Sequence, residues 1–315
     1  MLNEEQLSGI FNALEKVFNL QPEEVTMEMN PDDVTSEYLR MIRGLGINRA
    51  SMGVQSFQEE ILRFMHRAHS REEAFKALEA LQQANFPSYT ADLIYGNPGQ
   101  TLDMLHKDID HLAGYNPPHI SAYSLTVEPK TRLGKQVQLG RIEPPDDDVV
   151  SDHYDLVMDK LAGIGIEQYE VSNFAKPGNE AVHNSNYWHH KNYLGFGPSA
   201  NSFWWGKNSA KRWRNKPDIK SYLQNKPTEF QDEEEELTLH TLAEERLMLG
   251  LRTRWGVNRS TLNEKYGYRL NEKQSEWLAV QVQKGMAEPG DESVVLTSAG
   301  LKISDHLIVQ LLGRG

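Results

Sequence analysis

Hydrophobic and polar residues alternate with two different periods along the first half of the chain. Short apolar stretches that predict strands occur at 25–30, 49–54, 89–95, 120–127 and 165–171. Apolar residues at helical spacing predict helices at 7–18, 36–45, 58–65, 70–85, 102–113 and 146–164. Strands that alternate with helices in this way are typical of parallel βαβ units, so we predict an α/β fold.

Polar residues occupy the carboxyl ends of these predicted strands. They are Glu28, Asn30, Gln55, Asn97, Ser124, Thr126, Glu170, Ser172 and Asn173. Polar groups gathered at one rim of a parallel sheet are typical of the active-site face of a β/α barrel, whereas a Rossmann site needs a glycine-rich turn. No GxGxxG follows the first strand. We therefore predict a partial (β/α) barrel rather than an open doubly wound sheet.

The periodicity weakens from about 175 to 230, and an acidic run follows at 232–236. We place a domain boundary at this run, which gives domains 1–231 and 232–315. The second domain has predicted helices and a short hairpin at 294–296, an order that resembles a winged helix. Because 236–315 holds ten basic and ten acidic residues, we interpret it as a packing or substrate-covering module rather than a DNA-binding one.

Charge and cysteine content narrow the classes of function. The formal net charge is -12, which disfavours nucleic acid as a partner. No run approaches the roughly 18 apolar residues of a membrane span, and the acidic N-terminus is unlike a signal peptide, so we expect a cytoplasmic protein. The sequence contains no cysteine, which excludes disulfides and thiolate ligands supplied by this chain.

Two groups of residues are candidates for a functional site. Asp92 interrupts an apolar strand, and a carboxylate buried there needs a partner. With Glu28, Gln55 and Arg67 it would suit a polar ligand that bears hydroxyl, amine and carboxylate groups. The alternative is a buried Asp92–Arg67 ion pair without a ligand.

The second group is the segment His183-Asn-Ser-Asn-Tyr187-Trp188-His189-His190. One of its imidazoles could ligate a heme iron beside an aromatic wall, or His183 could share a small metal site with His189 or His190. A purely structural role for these histidines is the alternative. Hydrolase and nucleotide motifs such as GxSxG, HExxH and the P-loop are absent from the sequence.

Several segments together resemble one known family. They are EMNP at 28–31, RASMGVQSF at 49–57, DLIYGNP at 92–98, YEVSNFA at 169–175 and HNSNYW at 183–188. This set is similar to the radical S-adenosylmethionine proteins related to oxygen-independent coproporphyrinogen III oxidase. The HNxxYW segment resembles the HemW branch, whose members are heme chaperones. The resemblance extends from about residue 5 to the C-terminus.

The resemblance implies a partial barrel that binds a [4Fe–4S] cluster and S-adenosylmethionine. It implies that Glu28 contacts the ribose hydroxyls of that ligand, and that Gln55, Arg67 and Asp92 contact the remainder. Thr126 and Asn201 match outer contacts of the family more weakly. His183, Tyr187 and Trp188 would lie in the region that handles heme, which a chaperone would pass to a heme-acceptor protein.

The chain also departs from the family pattern. The cluster motif CxxxCxxC and a GGGTPS-like turn, which in the family precede the equivalent of Leu2, are absent. We expect an N-terminally truncated chain rather than a natural variant, with the cluster present only in the full-length protein and self-association through an exposed strand edge. Three functions remain open: heme chaperone, coproporphyrinogen III dehydrogenase, and a non-catalytic barrel that binds neither ligand.

Overall fold

The computed structural model describes residues 2–224 and 231–313. The chain divides into two compact units, Met1–Val182 and His183–Gly315. The boundary predicted between 231 and 232 falls at the start of a strand within the second unit. The division into domains 1–231 and 232–315 stays a prediction.

The N-terminal unit is built on a six-stranded sheet in the order β1-β2-β3-β4-β6-β5. Its strands are β1 (Thr26–Met29), β2 (Arg49–Gln55), β3 (Ser88–Tyr95), β4 (His119–Ser124), β5 (Glu167–Glu170) and β6 (Asn173–Ala175). Strands β1 to β4 pair in parallel, as the alternating pattern predicts. β6 pairs antiparallel with both β4 and β5, and so separates them. A strand of three residues is too short to give a periodic signal.

Helices precede and join the strands and cover one face of the sheet. They are α1 (Glu4–Glu15), α2 (Ser36–Gly44), α3 (Glu59–Phe64), α4 (Arg71–Ala84), α5 (Leu102–Gly114), α6 (Arg132–Gln138) and α7 (Asp147–Gly163), with a 3-10 turn at Pro31–Asp33. Ser70 and Thr101 cap α4 and α5, because each side-chain oxygen accepts a backbone N–H of the first turn. The apolar faces of α4 and α5 are buried in the core.

The two faces of the sheet differ in chemistry. Residues such as Ala50, Met52 and Leu93 point to the helices and form the core. The opposite face is polar. Register partners on neighbouring parallel strands point to the same face, and on this face the partners are polar residues. These partners include Ser51↔Thr90, Thr90↔His119 and Asp92↔Ser121. Polar side chains therefore continue from the carboxyl ends of the strands toward their amino ends.

The second unit contains an antiparallel sheet where the sequence indicates little regular structure. It consists of β7 (Asn201–Trp205), β8 (Ser209–Asn215) and β9 (Gln231–Thr238), beside the helices α8 (Val182–Trp188) and α9 (Ile219–Gln224). In β9, Glu234, Glu235 and Glu236 of the acidic run pair with Trp213, Arg212 and Lys211 of the basic strand β8. Lys211 Nζ lies 2.7 Å from Glu234 Oε1, and Arg212 Nη1 lies 3.6 Å from Glu235 Oε2. Charge complementarity thus places this run in a sheet rather than in a linker.

The remainder of the second unit agrees with the winged-helix-like prediction. Its elements are α10 (Leu239–Gly250), β10 (Val257–Asn258), α11 (Arg259–Tyr266), α12 (Glu272–Gln283), β11 (Ser293–Val294), α13 (Ser298–Lys302) and α14 (Ser304–Leu311). β10 and β11 pair antiparallel as a small wing. The closing helix predicted at 297–312 is divided at Ile303 into α13 and α14. Within the described ranges, no helix combines the length and apolar character needed to cross a bilayer.

Candidate functional site

A polar cavity of about 490 Å³ opens at the carboxyl ends of β1 to β4. Its lining residues are Glu28, Met29, Asn30, Asp33, Ser51, Gly53, Gln55, Asp92, Ser121 and Tyr123. The volume lies within the range of pockets that bind small molecules, about 300–1,000 Å³. Three of the predicted ligand-binding residues, Glu28, Gln55 and Asp92, therefore come together in one cavity.

Asp92 is held by hydroxyl groups rather than by a cation. Ser51 Oγ donates to Asp92 Oδ2 at 3.3 Å, and Thr90 Oγ1 donates to Asp92 Oδ1 at 3.5 Å. No ion pair joins Asp92 to Arg67 in the described parts of the chain, so the ion-pair alternative is wrong. Burial, and to a smaller extent the carboxylate of Glu28, raises the pKa of Asp92 to about 6, against the lowering effects of the Ser121 and Ser51 hydroxyl groups and of Arg49. The described lining of the cavity contains no cationic side chain, so a ligand with a positive charge would supply a counter-charge in direct contact with Asp92.

Gln55 ends β2 in an unusual backbone conformation. Its φ of 67° lies in the left-handed region, and the register between β2 and β3 shifts between Met52 and Gln55. Such a conformation costs on the order of 1 kcal/mol in a residue other than glycine, and it is frequent at ligand sites. A Cβ at Gly53 would lie 2.8 Å from Gln55 Nε2. The glycine therefore leaves the room that the Gln55 amide occupies in the cavity.

Asp108 on α5 fixes the turn that follows Gln55. Its fully buried carboxylate accepts hydrogen bonds from Ser56 Oγ at 2.6 Å, Phe57 N at 3.0 Å and Gln58 Nε2 at 2.8 Å. Burial raises the pKa of Asp108, and these three donors oppose that rise. Asp108 is not recognisable from the sequence pattern, because an acidic residue in an amphipathic helix resembles a solvated position.

The other predicted ligand-binding residues lie elsewhere. Arg67 is half-buried in the connection between α3 and α4, and Thr126 is exposed after β4. Neither lines the cavity in the described part of the N-terminal unit. Asn201 is the exposed first residue of β7 in the other unit. The roles of these three residues stay predictions.

Ser51, Ser121 and Tyr123 also line the cavity, and they are not among the residues predicted from sequence to bind a ligand. The signal that could have revealed two of them is the alternation along β4, where polar His119, Ser121 and Tyr123 are separated by buried Ile120 and Ala122. That alternation marks one polar face of a strand.

The HNSNYW segment forms α8, and its histidine and tyrosine share one helix face. Tyr187 Oη lies 2.9 Å from His183 Nε2, and the two rings meet edge to face at 5.1 Å. The ring of Tyr187 also contacts Tyr193, which stacks on Phe203. His183 is exposed, whereas Trp188 is partly buried and its carbonyl accepts a hydrogen bond from Arg246 Nη1 at 2.7 Å.

His190 has a structural environment. It is buried between the rings of Phe203 and Tyr266, at 4.7 and 5.9 Å. Its Nδ1 is hydrogen-bonded to Tyr266 Oη at 3.2 Å, and its Nε2 lies 3.5 Å from Glu245 Oε2. Burial lowers the pKa of His190, so the neutral ring is favoured. The described residues contain no group of three or more His, Asp or Glu side chains placed to hold a metal ion.

Comparison with known proteins agrees with this architecture. Residues 2–112 match the Radical SAM superfamily, and residues 237–302 match the HemN C-terminal domain. The solved structure of coproporphyrinogen III oxidase (HemN) from Escherichia coli, described as a radical SAM enzyme, superposes with a TM-score of 0.79 at 21% identity. That superposition covers 98% of this chain and 74% of the HemN chain, and it shows the fold.

Two curated relatives are both described as heme chaperone HemW. The Bacillus subtilis protein is 34% identical over 318 residues, which cover 99% of this chain and 83% of the relative. The Lactococcus lactis protein is 31% identical over 313 residues, which cover 99% of this chain and 82% of the relative. With a Radical SAM region, a HemN-like fold and full-length similarity of this degree, the chain belongs to the HemW family within the radical SAM superfamily.

Proposed function

We propose that this protein is a heme chaperone, which binds heme and transfers it to an acceptor protein. The observation that carries the proposal is the exposed imidazole of His183 on the HNSNYW helix of a chain that belongs to the HemW family. A heme-transfer protein needs an axial ligand that a protein partner can reach. An imidazole on an open helix face beside aromatic rings meets that need.

The contacts of the enclosed His190 favour His183 over His190 as the heme ligand. His190 is enclosed by rings and by Glu245, so its nitrogens are not available to a heme iron. Tyr187 is the second candidate, because a phenolate can also ligate heme iron and its Oη lies 2.9 Å from His183 Nε2. Trp188 would supply part of the aromatic surface next to the porphyrin.

Replacing His183 with Ala is expected to weaken heme binding about tenfold and to reduce the Soret band, because the axial imidazole is lost. Absorbance titration of the purified chain with heme measures both effects. His240→Ala is the matched control, since His240 is another exposed histidine of the same unit. If His183→Ala and His240→Ala titrate alike while Tyr187→Phe loses the band, the tyrosine is the ligand. If none of the three changes the band, α8 does not hold the heme iron.

The polar cavity fits S-adenosylmethionine. That molecule carries a sulfonium and an ammonium group, ribose hydroxyls and a carboxylate. The carboxylates of Glu28 and Asp92 complement its positive charges and hydroxyls, and the amide of Gln55 can bond either polar group. When bound, S-adenosylmethionine supplies the radical chemistry of its superfamily. Here we propose only that these three residues bind and orient it.

The residues of this chain do not fit the [4Fe–4S] cluster of the superfamily. Such clusters are held by thiolates, and this sequence supplies none. We therefore assign no chemical step to this chain. Coproporphyrinogen III dehydrogenase activity is the less favoured alternative, since the likeness to HemN at 21% identity concerns the fold. A barrel that binds neither ligand would leave the carboxylates of the cavity without a cation in direct contact.

Self-association stays a prediction, and its physical basis is β1. Among the residues that the structure describes, this strand pairs with β2 alone and forms one edge of the six-stranded sheet. Val17, which precedes β1 in the chain, is 74% exposed. Unpaired strand edges and exposed apolar side chains promote association. Light scattering should give a mass that rises with concentration, less steeply in Thr26→Lys, and a constant monomer mass would contradict the prediction.

A further inference from the structure

A second polar layer lies next to the cavity, toward the amino ends of the strands. Its centre is His119, which is 1% exposed, and beside it lies the fully buried Tyr169. His119 Nε2 lies 2.8 Å from Tyr169 Oη, and His119 Nδ1 lies 2.7 Å from Thr90 Oγ1. Thr90 Oγ1 in turn donates to Asp92 Oδ1 at 3.5 Å and lies 3.2 Å from Ser121 Oγ. An unbroken chain of hydrogen bonds therefore connects Tyr169 with Asp92.

With one tautomer of His119, every hydrogen bond between Tyr169 and Asp92 is donated in the direction of Asp92. The backbone N–H of Ala181 donates to Tyr169 Oη at 3.3 Å, which leaves the phenolic proton for His119 Nε2. With its own proton on Nδ1, His119 donates to Thr90, whose hydroxyl then donates to the Asp92 carboxylate. Burial is the main cause that holds the pKa of His119 well below its usual range, and the positive charge of Arg49 is the second cause. The ring is therefore neutral, with the one donor and one acceptor that the chain requires.

We propose that Thr90, His119 and Tyr169 are positioning residues of the ligand cavity, whose aligned hydrogen bonds orient the Asp92 carboxylate and favour its ionised form for a cationic ligand. The three residues do not line the cavity in the described part of the chain, so they act through Asp92. Hydrogen bonds in a buried chain polarise one another, so the last donor is strengthened by those behind it. The inference rests on the proposed S-adenosylmethionine site.

Other charged and titratable groups also face Asp92 and must stay constant in a test. Glu28 on β1 raises the pKa of Asp92, and Arg49 on β2 lowers it. Tyr123 on β4 and the buried Glu170 on β5 belong to the same face. Tyr169→Phe keeps all four of these side chains, although Glu170, Arg49 and Tyr123 also interact electrostatically with the Tyr169 hydroxyl group.

The test compares two buried tyrosines of the same sheet. Tyr169→Phe removes the hydroxyl group that is the first donor of the hydrogen-bond chain, and it keeps the packed ring. Tyr89→Phe is the matched control, since Tyr89 Oη donates to the Tyr115 carbonyl at 3.0 Å on the opposite face. The titration of the Asp92 carboxyl carbon, followed by ¹³C NMR, should move upward by about half a pH unit or more in Tyr169→Phe and stay unchanged in Tyr89→Phe.

Calorimetry with S-adenosylmethionine supplies a second readout. At pH 7 we expect about three- to tenfold weaker binding in Tyr169→Phe, a deficit that grows as the pH falls toward 6, and less than twofold change in Tyr89→Phe. If Tyr169→Phe does not fold, Thr90→Val tests the same chain, because it removes the donor to Asp92 and keeps the side-chain volume. Equal titration and binding in wild type and folded variants would overturn the inference.

The two readouts separate this inference from the proposed ligand. If the wild-type chain gives no heat with S-adenosylmethionine but the Asp92 titration still moves in Tyr169→Phe, the proposed ligand fails and the positioning role stands. If the wild type binds S-adenosylmethionine and the Asp92 titration does not move in Tyr169→Phe or in Thr90→Val, the proposed ligand is supported and the positioning role fails.

Discussion

Asp108→Ala is expected to lower the free energy of unfolding by roughly 3–5 kcal/mol. Three donors lose their acceptor at once: Ser56 Oγ, Phe57 N and Gln58 Nε2. Asp108 and Ser56 are fully buried, so water cannot replace the lost hydrogen bonds without opening the turn. Urea unfolding followed by circular dichroism measures the change.

Asp110→Ala is the matched control, because it removes the same kind of side chain two residues further along α5. Asp110 is exposed and lies within 2.5 Å of Lys160 Nζ, and exposed ion pairs contribute about 1 kcal/mol or less. The loss of unfolding free energy in Asp108→Asn should lie between the losses in Asp108→Ala and Asp110→Ala. The amide oxygen can still accept a hydrogen bond from Phe57 N, whereas the NH₂ group faces another donor. Similar losses in Asp108→Ala and Asp110→Ala would show that the three hydrogen bonds do not stabilise this turn.

The parallel strands and the carboxyl-end rim could be predicted because the sequence encodes them locally. Buried strands of a βαβ unit are apolar, so Glu28, Gln55 and Asp92 contrast with their surroundings and mark the rim. The structure confirms the partial barrel and gathers these three residues into one cavity. Arg67 could not be placed from sequence, because its position depends on the turn between α3 and α4.

The hydrogen-bonded layer below the cavity and the β7–β9 sheet could not be predicted, since both depend on contacts between distant residues. His119 and Tyr169 are separated by fifty positions, and their pairing follows from the insertion of β6 between β4 and β5. In β9, the run of acidic residues conceals strand periodicity, and its stabilising partner is the basic strand β8. His190 is a similar case. In sequence it resembles a metal or heme ligand, and only the structure shows that it is packed between the rings of Phe203 and Tyr266.

Glu170 is expected to make the stability of the chain fall as the pH rises from about 4.5 to about 7. Its carboxyl group is 1% exposed, and burial raises its pKa to about 7 from a usual value of 4.5. Between these values the unfolded chain has released this proton while the folded chain still holds it. The folded state therefore binds more protons, and stability is lost with increasing pH, by about 3 kcal/mol for this group.

Glu170→Gln removes this pH dependence, because an amide imitates the protonated acid and does not ionise. Ser172 N donates to Glu170 Oε2 at 3.1 Å and the Asn173 amide donates to Oε1, and both the amide and the protonated acid keep one full acceptor for these donors. At pH 5 the variant should match the wild type within about 1 kcal/mol, whereas at pH 8 it should be more stable by about 3 kcal/mol. Urea unfolding at the two pH values measures this difference.

Glu167→Gln, three residues earlier on β5, is the control for the loss of a carboxylate. Glu167 is exposed at the start of the strand, and exposed ionic interactions contribute little, so its replacement should change stability by about 1 kcal/mol or less at either pH. Every other titrating group, Asp92 included, is shared by the wild type and the variants, and its contribution cancels in the comparison. A Glu170→Gln curve parallel to the wild-type curve from pH 5 to pH 8 would mean that Glu170 is already ionised in the folded protein, with its charge stabilised by the Ser172 and Asn173 donors.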